Sequence, residues 1–97
     1  MIDLARIIGF DWDEGNVRKN EKHGVAQAEE VFFNQPLLML EDLRHRDHEA
    51  RFHALGKTLD GRALHITFTL RGDGTLIRVN SARDMHRKER SVYDQAR

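Results

Sequence analysis

Apolar and polar residues alternate most cleanly at 62–70. Leu64, Ile66, Phe68 and Leu70 fall on one side, and His65, Thr67 and Thr69 on the other. A period of two marks a strand with one buried face. Asp60-Gly61 before it and Gly72-Asp73-Gly74 after it are turn sequences, because these residues tolerate positive φ. Flanking strands are therefore expected at 51–58 and 76–81, both antiparallel to the central one. An apolar run at 37–42 adds another strand, bounded by Pro36 and the polar stretch 44–49. Ile7, Ile8, Phe10 and Trp12 carry the β-branched and aromatic residues of an opening strand.

Helix signals occupy the gaps. Asp13 offers an N-cap for a helix reaching His23, with Gly24 as its left-handed stop. Val17 is its only large apolar residue, so this helix should be short and mostly exposed. A second helix is expected at 26–33, with Ala28, Val31 and Phe32 on its inner face and Pro36 closing it off. Asp84 can cap a last helix that docks through Met85, Val92 and Ala96. The order is β-α-α-β-β-β-β-α, an α+β domain. Its expected form is an antiparallel sheet with two N-terminal helices and a C-terminal helix.

Composition narrows this further. Ninety-seven residues make a single domain, 1–97, with no room for a second core. The chain has no cysteine, which excludes disulfides and thiolate metal sites. Its longest apolar runs are too short to span a bilayer, and the first residues lack a signal peptide's apolar core. A cytoplasmic protein is expected. The zero net charge hides an asymmetry. Residues 1–50 hold six Lys/Arg against eleven Asp/Glu, a balance of −5, while 51–97 hold ten against five, a balance of +5. A basic second half points to an anionic ligand.

Candidate chemistry concentrates at 76–93, where an apolar strand leads into Arg83, His86, Arg87, Lys88, Arg90 and Tyr93. Arg offers a planar fork of donors that matches phosphate oxygens. The plain alternative is a solvated basic helix packed on a sheet. Lys22-His23-Gly24 places a histidine at a helix C-terminus, where the dipole favours its charged form; an ordinary C-cap histidine has the same sequence. Arg51, Arg62 and Arg78 lie on three successive expected strands. His45 and His48, with Asp47, Glu49 and His53 nearby, have ligand-like spacing, but Arg44, Arg46 and Arg51 would repel a cation. Arg71-Gly72-Asp73 reads as hairpin chemistry.

These residues, taken in order, resemble the BrnT family of toxins from bacterial type II toxin–antitoxin pairs. The resemblance rests on residues 10–13 (FDWD), Asn20 with Lys22-His23-Gly24-Val25, and Glu30-Val31-Phe32 with Pro36. It continues through Asp42, His45, Glu49, Arg51, Gly56 and Gly61-Arg62. It ends on residues 78–83 (RVNSAR), Glu89-Arg90 and Tyr93. The chain departs from the family at Ala26, usually Ser, and at Asn80, usually apolar. The resemblance implies a RelE-like fold and a ribonuclease activity that needs no metal or other cofactor and halts translation. It also implies a cognate BrnA-like antitoxin with a ribbon-helix-helix DNA-binding part, and a homodimer within their complex.

Metal-free RNA cleavage uses the 2′-hydroxyl as nucleophile against the adjacent phosphate. The enzyme must accept that proton, offset phosphorane charge and protonate the leaving oxygen. Arginines suit only the middle task. Arg83, with Arg78 or Arg62, is expected to hold the phosphate. Strand alternation puts Arg78 and Arg83 on opposite faces if the strand runs unbroken to residue 83, so both can serve only if the chain turns at Ser81-Ala82. His23, Glu89 and Tyr93 are the candidates for proton transfer, and Lys22, Arg51, Arg87, Lys88 and Arg90 for binding RNA. A non-catalytic module that only docks RNA or protein is the competing class.

Overall fold

The computed structural model describes residues 4–12, 25–34, 36–42 and 50–96. A 3-10 turn, Leu4–Arg6, leads into β1, Gly9–Phe10. Helix α1 is Val25–Phe33, followed by β2 (Leu38–Asp42), β3 (Arg51–Lys57), β4 (Ala63–Arg71) and β5 (Leu76–Asp84). Helix α2, Arg87–Gln95, comes last. The expected helix at 13–23 lies outside the described residues, so two α-helices are described, of which only α1 precedes the meander.

Strands β2 to β5 form the expected antiparallel meander, and the sheet order is β1-β5-β4-β3-β2. The sheet is nonetheless mixed. β1 pairs parallel to β5, Gly9 opposite Leu76 and Phe10 opposite Ile77. No hairpin connects β1 to its neighbour. The chain crosses to the far edge before the meander begins, and such crossovers permit parallel pairing. The expected turn at Asp60-Gly61 is present, but only Gly61 takes positive φ, at 85°.

The larger departure is in β5, which continues three residues beyond the expected end at Ser81. Thr67 pairs with Ser81 while Phe68 pairs with Val79, leaving Asn80 as an extra residue in a β-bulge. Strand pairing therefore claims Asp84, which does not cap α2. His86 holds the N-cap position, its backbone N–H donating to Glu89 Oε1 at 2.9 Å. Met85 is buried just ahead of α2, and Ala96 is exposed at its end. The helix docks through Tyr93, which packs with Leu55 and Met85 beside Leu38 and Ala63.

The other face of the sheet carries the main core. Ala28, Val31 and Phe32 of α1 pack on Phe52, Ala54, Leu64, Ile66, Phe68, Ile77 and Val79. Gly56 marks the closest approach. A Cβ there would lie 2.8 Å from Val31 Cγ1, so the helix sits where only a glycine admits it. Among the described residues, α1 seals this face and α2 covers one end of the other.

Candidate active site

Register decides which side chains share the face opposite α1. Across β2, β3, β4 and β5 stand three rows. The first is Leu38, Leu55, His65 and Arg83; the second Leu40, His53, Thr67 and Ser81; the third Asp42, Arg51, Thr69 and Arg78. An unbroken strand would put Arg78 and Arg83 on opposite faces, since an odd number of steps along the chain leads from one to the other. The expected turn at Ser81-Ala82 does not form, since both residues pair with β4 within β5; the extra residue at the Asn80 bulge brings the two arginines onto one face instead.

Beside the Tyr93 anchor is a cavity of about 420 Å³, lined by Leu40, His53, Leu55, His65, Arg83, Lys88, Glu89 and Val92. A chain of contacts crosses it. Asp42 Oδ2 lies 3.1 Å from His53 Nε2, and His53 Nδ1 lies 2.8 Å from His65 Nε2. The two rings are nearly parallel, 14° apart. His65 Nδ1 stands 3.8 Å from Glu89 Oε2. Glu89 in turn accepts a two-pronged grip from Arg83, Nη1 and Nη2 each at 2.8 Å.

The expected site residues divide by position. Arg83, Glu89 and Lys88 meet in this cavity. Arg62 lies with Tyr93 and Arg90 around a separate cavity of about 450 Å³, and pairs with Asp84 at 3.2 Å. Tyr93 is buried, and its hydroxyl donates to the Pro36 carbonyl, which makes it a packing anchor. Arg78 is held by Asp11 at 3.1 Å, in the same row as Arg51. Arg87 is exposed at the start of α2. Lys22, His23, His45 and His48 lie outside the described residues.

A family profile described as the ribonuclease toxin BrnT of type II toxin–antitoxin systems matches residues 12–89. The chain belongs to the BrnT family. No curated protein matches it individually. Membership in a family of ribonuclease toxins implies an RNA target and an antitoxin partner. No helix among the described residues is long and apolar enough to cross a membrane.

The electrostatics of this cavity in the BrnT-family chain have identifiable causes. Burial pushes the His65 imidazole down to about 4, helped by the Arg83 charge and opposed by Glu89. His65 is therefore neutral near pH 7. The hydrogen bond from Arg83 holds the Glu89 carboxyl down at about 2, and the His86 backbone N–H adds to this. The same bond raises the Arg83 guanidinium. Arg87, Lys88 and Arg90 stand in the first turns of α2, at the positive end of its dipole, where cations are unfavourable. A local rule broken in this way suits a site that receives anions.

Stability should register these shifts. For His65 the folded value lies below the ordinary 6.5, so the unfolded chain takes up the proton first as pH falls. That stability is intact above about pH 6.5 and is lost toward about pH 4, at up to about 1.4 kcal/mol per pH unit. For Glu89 the loss comes lower, as pH falls from about 4.5 toward about 2. Melting temperatures are expected to drop below pH 6.5, and His65→Asn should flatten the limb between pH 6.5 and 4. An unchanged limb in that variant would contradict the assignment.

Neither histidine of the cavity stands out in sequence. His53 is only a neighbour of a ligand-like cluster, and His65 only a polar position on an alternating strand. The usable signal is relational. A hairpin turning at Asp60-Gly61 puts these two odd-numbered positions on one face as diagonal neighbours.

Proposed function

We propose that the face opposite α1 cleaves RNA without a metal ion, by attack of a 2′-hydroxyl on its own phosphate. What carries the reading is the meeting, in one open cavity, of a neutral, half-buried histidine with a guanidinium and an ammonium. Arg83 is the phosphate ligand. Glu89 and the Asp84 carbonyl fix its plane through Nη1 and Nη2, and its Nε–H turns to the substrate. Lys88 adds charge at the rim. Arg51 and Arg78 take a neighbouring phosphate, and between them the Thr69 hydroxyl is buried without a hydrogen-bond partner. Such groups offset the charge that develops on the phosphorane.

Proton transfer falls to the histidines. Glu89, ionised and tied to Arg83, is a weak base, and the Tyr93 hydroxyl is committed to Pro36. Products are a 2′,3′-cyclic phosphate and a 5′-hydroxyl. In the cell this single-domain toxin acts in the cytoplasm and stops translation. A BrnA-like ribbon-helix-helix antitoxin silences it by covering the Arg78–Arg83 face, in a complex that contains a toxin homodimer. Induced expression with mapping of RNA ends, with and without the antitoxin, tests this. Growth arrest with new 5′-hydroxyl ends, abolished by the antitoxin, is expected. RNA that is bound and left intact would make the protein a binding module.

A further inference from the structure

Resting on the nuclease reading, we infer that Asp42, His53 and His65 form a directed proton relay in which His65 Nδ1 is the base and Asp42 a positioning residue. The direction follows from hydrogen-bond chemistry. A carboxylate only accepts, so the contact from Asp42 Oδ2 requires a proton on His53 Nε2. With one proton on each ring, His53 Nδ1 is then bare, and the 2.8 Å contact is made by His65 Nε2–H donating to it. With Nε2 protonated, neutral His65 is bare at Nδ1, the nitrogen on the side of Glu89 and Arg83 where the phosphate binds.

The relay also resolves a difficulty. Burial and Arg83 make His65 a poor place to keep a positive charge. When His65 Nδ1 takes the 2′-hydroxyl proton, its Nε2–H bond breaks and a new N–H bond forms at His53 Nδ1. The charge comes to rest on His53, against Asp42. The 2′-oxygen bonds to phosphorus while the P–O5′ bond breaks. The leaving oxygen takes a proton from water at the open rim, and the hydroxide so formed takes the relay's proton back. Both rings cannot be imidazolium while the contact holds, since each facing nitrogen would carry a hydrogen. Among the described residues, the charged and titratable groups around the relay are Asp42 from β2, Arg51 from β3, Arg83 from β5, His86 ahead of α2, and Lys88 and Glu89 from α2.

Nitrogen-15 imidazole shifts of the full chain, read with RNA cleavage kinetics, test the relay. At pH 7 His53 should be protonated at Nε2 and His65 bare at Nδ1, and Asp42→Asn should lose this single pattern. Asp42→Asn and His53→Gln should each lower kcat by about 10²-fold, the low end for a positioned general base. KM should stay within about threefold and the acid limb of the pH–rate profile should move to lower pH. A purely structural role would lower the melting temperature and leave that limb in place. His53→Gln keeps the test open if Asp42→Asn fails to fold. If the parent chain cleaves RNA and both variants keep its kcat and pH limb, the relay is overturned and the nuclease stands. The expected tautomers in a chain that leaves RNA intact would overturn the nuclease, and with it the relay's catalytic role.

Discussion

Replacing Arg83 with Ala is expected to lower kcat/KM for RNA by about 10³-fold, the upper range for removing one preorganised donor to a developing anion. The loss is large because two effects add. The guanidinium leaves the phosphate, and Glu89, now without its partner, turns a carboxylate charge toward the same place. Arg83→Lys should recover only part of the rate, because an ammonium cannot hold the two carboxylate oxygens and still present a donor in a fixed plane. Arg62→Ala is the informative comparison. Arg62 is exposed, paired with Asp84, and lines the other cavity, so its loss should change the rate by no more than a few-fold. Equal losses from Arg62 and Arg83 would mean that the catalytic centre is not the histidine-lined cavity.

Phe68→Ala should be the most damaging single change to stability. Phe68 is fully buried on β4, edge-on to Phe32 of α1 at 5.1 Å and stacked on Phe52 at 5.5 Å. It joins the helix to two strands, and it stands at the β-bulge that aligns Arg78 with Arg83. Truncating a buried Phe costs about 3–5 kcal/mol, a large part of the stability of a domain this size. Chemical denaturation should show that loss, with a fall in melting temperature on the order of 20 °C. A loss under about 1 kcal/mol would mean that the core closes around the gap, or that this packing is not what joins α1 to the sheet.

Much of this architecture is legible in the sequence where its signal is local. The alternation of Leu64, Ile66, Phe68 and Leu70, with glycine-containing turns on either side, gives the central hairpins. Ala28, Val31 and Phe32 give the buried stripe of α1. The parallel pairing of β1 is not local, since it depends on where the chain crosses. The bulge is half-visible. The inward positions run Ile77, Val79 and then Ala82, and that break in the period of two is the mark of an inserted residue. Asp84 resembles a helix cap because Asp is favoured there, yet pairing with Leu64 holds it in β5. Arg83 and Lys88 are candidates in the sequence because a strand ending in Arg before a basic helix suggests phosphate, and Glu89 is one as a proton-transfer group. The fold brings all three to one cavity. The histidines are missed because each looks ordinary alone. Only the register of β3 against β4, with Asp42 on the neighbouring strand, turns them into a pair.

Incubating the purified chain with single-stranded RNA in excess chelator, and identifying the new ends, tests the central claim most directly. Cleavage at an undiminished rate is expected, with 2′,3′-cyclic phosphate on one fragment and a 5′-hydroxyl on the other, and with Arg83→Ala nearly inert. Cleavage that stops in chelator and returns with a divalent ion, or fragments bearing a 5′-phosphate, would contradict it.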